Sequence, residues 1–221
     1  MHGIGASGRY FMPLARRLAE RNRVYAPDFP GFGRSAKPRR ALTLQDLAGV
    51  LDEWMGHLSL GSAVMVGNSF GCQIVAELAL RHPARLEAAA FLGPTIDRRA
   101  RNAWSQAGRV VATAVREPAG LVRPLLADYL QAGIVRPLQT LRYALDDPLE
   151  AKLPHVDVPV LVVRGDGDAI VPQSWAEEVA RLLPLGELVV VPGGAHVLNY
   201  DAAGAIADLL ERAWNPAPDS G

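Results

Sequence analysis

The 221-residue chain has one cysteine, Cys72, so it can form no disulfide within itself. Aromatic residues make up only 6% and the formal net charge is zero, with no basic patch. That excludes the electrostatic footprint of a nucleic-acid binder. No apolar run approaches the ~20 residues that a membrane helix needs, so no membrane partner is expected. The chain also opens without the charged and apolar regions of a secretory leader, so a cytoplasmic location is expected. Lysine is nearly missing: apart from Lys37 and Lys152 the basic residues are arginine, which points to a GC-rich, bacterial genome. There is no internal repeat. Neither a metal nor a cofactor is called for.

What is present is an alternation of β-branched apolar runs with amphipathic ones. Strands are expected over 24–26, 63–66, 86–92, 159–163 and 188–191, and helices over 13–20, 44–58, 173–183 and 202–214. Thr43 with Asp46, and Ser174 with Glu177, have the spacing of capping boxes at two helix starts. Such alternation implies right-handed crossovers and a mostly parallel, doubly wound α/β sheet with helices on both faces. The proline-containing residues 215–221 are expected to fray. At 49% apolar content the length suffices for one substantial core, or a core with a small lid.

The most informative stretch is Gly67-Asn68-Ser69-Phe70-Gly71, a Gly-x-Ser-x-Gly motif between an apolar run and a helical pattern. In a strand–turn–helix context the serine is exposed on a strained turn, and the small flanking residues allow strand and helix to approach. Ser69 is therefore a candidate nucleophile. Its partners should follow as acid and then histidine. Asp166 and Asp168 follow the run 159–163, and His196 follows the run 188–191, so all lie beyond carboxyl ends of strands, where ligands of open parallel sheets bind. His196 would accept the serine proton. The acid would hold the imidazole tautomer and stabilise its charged form. Cys72, on the helix after Ser69, reads as a packing residue.

These segments resemble the α/β-hydrolase superfamily, in its cap-bearing, serine esterase-like branch. The likeness rests on His2-Gly3-Ile4-Gly5, on Asp28 to Ser35, on the Ser69 motif, and on the Asp168 and His196 segments. It implies hydrolysis of a small carboxylic ester, or a related acyl or C–C bond, through Ser69, His196 and Asp168. Asp168 is preferred because the family places its acid four residues before a proline, here Pro172, while Asp166-Gly167 suits a turn. The oxyanion donors would be the backbone N–H groups of Ile4 and Phe70. His2, Asp28 and Arg34 would brace loops, and His57 and His82 read as capping or solvated. A meta-cleavage-product (C–C bond) hydrolase is an alternative, weakened because Ala169 and Val197 stand where that branch carries a basic residue and a tryptophan. A non-catalytic binding or scaffold protein of the same fold is the other alternative.

The resemblance also implies a core over 1–92 and 148–221 with a helical cap inserted over 93–147, where strand signals vanish. Trp104, Tyr129 and Val197 are the candidate substrate-binding residues, with Val111, Leu125 and Leu130 as further cap candidates. Arg98, Arg99 and Arg101 read as a solvated face or an acidic-substrate contact. The partners expected are a small-molecule substrate and a possible second copy. In this family a central strand leads into the His-Gly loop, which here stands at Met1. The sheet is thus expected to close by pairing 24–26 directly with the Val64 strand, to borrow a strand from a second copy, or to belong to a longer gene product. In each case Ile4 N–H is expected to be poorly held.

Overall fold

The structure, a computed structural model, describes residues 1–114 and 119–214. Residues 215–221, expected to fray, and 115–118, within the expected cap, lie outside the described residues.

Two helices, α1 (Met12–Leu18) and α2 (Leu44–His57), precede the first strand, β1 (Ala63–Asn68). The chain then runs through α3 (Phe70–Arg81) to β2 (Leu86–Leu92). Three helices, α4 (Ala103–Ala114), α5 (Ala119–Ala132) and α6 (Val135–Asp146), and the single turn α7 (Leu149–Lys152) lie before β3 (Val160–Gly165). After β3 come α8 (Gln173–Leu182), β4 (Gly186–Val191), α9 (Leu198–Asp201) and α10 (Ala203–Trp214). The four strands form one parallel sheet in the order β1-β2-β3-β4.

Strand alternation divides the core between the two faces of this sheet. Ala89 and Phe91 of β2, with Val160 and Val162 of β3, pack with α2, α3 and α8. Ala90 and Leu92, with Leu161 and Val163, pack with α1 and α10. Because both faces are covered, the strands read as apolar runs rather than as alternating ones. Asn68 pairs with Leu92, and Leu92 with Val163, so the carboxyl ends of three strands finish at one level.

The Thr43–Asp46 capping box forms at α2, each side chain bonding the other residue's backbone N–H. The one expected at Ser174 and Glu177 does not. Helix α8 starts after Pro172, without a side-chain cap, and Glu177 instead accepts from Gln173.

Residues 24–26 are not a strand, and they do not pair with β1. A cavity of about 570 Å³ separates them, lined by Val24, Tyr25 and Ala26 on one side and by β1 on another, with Leu14, Met55 and Trp214 among the helical residues around it. The β-branched signal at Val24 predicts a strand, but a strand needs a hydrogen-bonded neighbour and these residues have none in the sheet. On this edge Met1 bonds the β1 backbone: its amine donates to the Val66 carbonyl, and its carbonyl accepts from Asn68 N–H at 3.0 Å.

No helix among the described residues is long and apolar enough to cross a membrane.

Candidate active site

Ser69 stands between β1 and α3 with φ 56° and ψ −121°, a left-handed backbone that residues other than glycine seldom adopt. The turn is tight enough that a Cβ on Gly67 would come within 2.7 Å of the Cys72 nitrogen, and one on Gly71 would strike the Met1 carbonyl. Ser69 N–H is held by the Leu92 carbonyl at 2.9 Å, and Ser69 Oγ lies 3.4 Å from Thr95 Oγ1. Phe70 opens α3, where the first N–H groups have no partner within the helix and the dipole favours negative charge. Its ring is buried against Phe29, Phe32 and Ile74.

The acid and the histidine meet. His196 Nδ1 is 2.7 Å from Asp168 Oδ2, and both side chains are almost fully buried. The other carboxylate oxygen, Oδ1, accepts from Ile170 N–H at 2.8 Å and Val171 N–H at 3.0 Å. Burial works to raise the Asp168 pKa. The charge and hydrogen bond of His196, with the Val171 and Ile170 amides, outweigh it and hold the carboxyl below its usual range. Buried Arg164 fixes this loop by donating to the carbonyls of Asp168 at 2.9 Å and Val171 at 2.6 Å. Gly93, at φ +55°, lies against the pair: a Cβ there would be 2.9 Å from His196 Nδ1 and 3.1 Å from Asp168 Oδ2. Asp166 is exposed and accepts from Gly193 N–H at 2.8 Å, so it braces the neighbouring loop.

The loop 2–5 flanks Ser69, for a Cβ on Gly3 would be 3.3 Å from Ser69 Cβ. Contrary to the expectation of a loose terminus, the loop is tied from several sides. Phe29 N–H donates to His2 Nε2 at 3.0 Å, and His2 Nδ1 donates to the Gly3 carbonyl at 2.9 Å. Gly3 N–H donates to the Tyr10 hydroxyl, which donates to Asn68 Oδ1, both at 2.7 Å. Asn68 Nδ2 completes the network by donating to the carbonyls of Leu92 at 3.0 Å and His196 at 3.1 Å. Asn68 thus joins the loop, the serine turn and the histidine loop. Sequence reasoning quoted it as a variable motif position and gave it no role, as it gave none to Tyr10, Thr95 and Gly93. Asp28 braces its loop as expected, accepting from Gly8 N–H at 2.7 Å and Arg34 N–H at 2.8 Å.

The remaining candidates fall in different places. Trp104 is 88% exposed on α4, and Val111 and Leu130 are also exposed, so these three do not enclose a site. The loss of strand signals pointed to helices here but not to the direction of these side chains. Val197 is buried in the core with Leu198 and Val163 rather than open to a ligand. Tyr129 lies at the site, on the loop 4–5, with its hydroxyl donating to the Ile4 carbonyl at 3.1 Å. Arg98 and Arg99 pair with Glu178 at 2.6 and 2.8 Å, and Arg101 with Glu150, so they tie this segment to α8 and α7 while the Arg98 and Arg99 side chains stay about half exposed, as a solvated face would be. Buried Cys72 donates its thiol to the Gly67 carbonyl at 3.3 Å, and burial pushes its pKa up, as suits a packing residue. Among the described residues no His, Cys, Asp and Glu side chains assemble into a metal-binding group.

Comparison with known proteins agrees with this architecture. The chain is 30% identical to the magnesium-chelatase 30 kDa subunit of Rhodobacter capsulatus, across 96% of this chain and 85% of that protein. It is also 30% identical to the 2-(acetamidomethylene)succinate hydrolase of Mesorhizobium japonicum, across 90% and 80%. Its fold matches the 2-hydroxy-6-oxo-6-phenylhexa-2,4-dienoate hydrolase of Rhodococcus sp. strain RHA1 with a TM-score of 0.79, at 24% identity over 97% of this chain and 89% of that one. The model of the alpha/beta hydrolase family matches residues 1–209, and the chain belongs to that family of enzymes.

Proposed function

We propose that the protein is a serine hydrolase that cleaves small carboxylic esters through a Ser69 acyl-enzyme. The observations that support this reading are the buried His196–Asp168 pair, the bond from the Asn68 side chain to the His196 carbonyl, and the positive φ of Ser69, the next residue, on the strand–helix turn. In this reading His196 takes the Ser69 proton as the hydroxyl attacks the ester carbonyl, and later returns it to the leaving alcohol. Asp168, kept ionised by its hydrogen bonds, fixes the Nδ1–H tautomer and stabilises the imidazolium. The N–H groups of Ile4 and Phe70 meet the oxyanion, where one such donor supports a rate factor of about 10² to 10³. A water then repeats the sequence on the acyl-enzyme.

The helices of residues 93–147 are read as a cap on a core of 1–92 and 148–221. Supporting this are Tyr129 on the loop 4–5, and Arg109, which bonds Asp97 at 2.9 Å and the Ile170 carbonyl at 3.1 Å. The Mesorhizobium relative is named for hydrolysis of an acetamidomethylene succinate, so acyl bonds beyond simple esters belong in the substrate panel.

Turnover of p-nitrophenyl acetate and butyrate tests the reading. Ser69→Ala is expected to remove nearly all activity while circular dichroism and melting temperature stay close to wild type. Unchanged turnover in that variant would overturn it. A wild-type chain inert toward esters but active on a vinylogous diketone would favour the C–C hydrolase alternative.

A further inference from the structure

Tyr129 was expected to touch substrate, but its polar contact is with the protein. Its hydroxyl donates to the Ile4 carbonyl, and its ring lies so close over Gly5, at φ +75°, that a Cβ there would overlap the ring carbons. The preceding residue grips the same segment. Buried Asp128 accepts from Ser7 Oγ at 2.6 Å and stands 3.7 Å from Arg9. Leu121, about two turns upstream on α5, is buried with Ala6 and Tyr10. One helix of the insertion therefore holds the outer side of the loop that carries Ile4.

The inner side is held by the core. The peptide plane bearing Ile4 N–H ends in the Gly3 carbonyl, which accepts from His2 Nδ1 at 2.9 Å and Ala6 N–H at 3.3 Å. The next plane ends in the Ile4 carbonyl, which Tyr129 holds. Fixing both planes fixes the two dihedral angles of Ile4, and with them the aim of its N–H. We propose that Tyr129 is a positioning residue for the oxyanion hole, coupling the seat of α5 to transition-state stabilisation at Ser69. The inference rests on the Ser69 reading given above. It adds that the inserted helices do more than cover the site, because the donor geometry depends on α5 being docked.

Tyr129→Phe removes the hydroxyl and keeps the ring on Gly5. With p-nitrophenyl butyrate, kcat is expected to fall about 10-fold while KM stays within about twofold, since the lost effect acts in the transition state. Affinity for a trifluoromethyl ketone, which forms a tetrahedral adduct on the serine, should fall in parallel with kcat/KM. The fluorophosphonate site occupancy at saturation should remain complete, showing that Ser69 itself is intact. Tyr129→Ala, which also frees Gly5, should lose more of both. A change in KM or acyl-chain preference with kcat unmoved would assign Tyr129 to substrate binding and overturn the proposal. A lower melting temperature with unchanged kcat and ketone affinity would make its role structural and overturn it as well. Failure of the serine reading shows itself separately, as a wild-type chain that neither hydrolyses esters nor is labelled at Ser69.

Discussion

Asp166 and Asp168 stand two positions apart on one loop, and their partners separate their tasks. Asp168 faces inward and spends one oxygen on His196 and the other on two backbone amides. Asp166 faces outward and braces Gly193. Asp168→Asn is therefore expected to lower kcat by about 10⁴, through loss of the correct imidazole tautomer. Asp166→Asn should lower the melting temperature and leave kcat near wild type. Steady-state kinetics and thermal melts on both variants check this, and a larger kcat loss in Asp166→Asn at equal stability would reverse the assignment. The places of Ser69, Asp168 and His196 beyond strand ends were legible because each follows an apolar run at a recognisable turn. Asn68, Tyr10 and Thr95 were not, since all but one of the bonds described for them span 24 to 128 residues and no local pattern encodes such a partner.

The N-terminal loop shows the same physics in an element. His2 is buried between Phe29 and Phe32, and burial lowers its pKa to about 4. The unfolded chain binds a proton at His2 near pH 6.5, and the folded chain only near 4. Between those values the unfolded state holds more protons, so stability is lost as pH falls through this window, by about 3 kcal/mol at its lower end. The Met1 amine, lowered by burial to about 5 from 8.0, acts with the same sign at higher pH. Melting temperature is thus expected to drop steadily between pH 7 and pH 4. His2→Gln should melt lower at pH 8 and show a shallower drop below pH 6.5. An equally steep drop in the variant would contradict the account of His2. The helix and strand bounds were largely legible from periodicity and caps. The failures differ in cause: at residues 24–26 the local signal lacked a hydrogen-bonded neighbour, and at Ser174 the helix starts one residue earlier, at Gln173, whose side chain bonds Glu177.

In the whole molecule, β1 is an edge strand whose outer side faces a cavity covered by helices on both faces of the sheet. In a parallel pair, the bonds of Val66 and Asn68 to Met1 turn the backbone groups of Val64 toward the same cavity. Burial on both faces suits an unbroken apolar strand there. Five apolar β-branched residues joined ahead of Met1 are expected to occupy it and raise the melting temperature by at least about 5 °C. A Gly-Ser segment of equal length should not. Equal melting temperatures for the two would show that the cavity does not accept a strand. The fold class was legible because alternation of strand and helix dictates a covered parallel sheet, whereas the state of one edge depends on a neighbour that no residue pattern within the sheet reveals.

The central claim, that Ser69 is the nucleophile activated by His196, is tested most directly by covalent capture. Wild-type protein treated with a fluorophosphonate is digested and its peptides are weighed. A single adduct is expected on the peptide containing Ser69, lost in Ser69→Ala and slowed by orders of magnitude in His196→Gln. Absence of an adduct, an adduct on another residue, or labelling at an undiminished rate in the His196 variant would contradict the account.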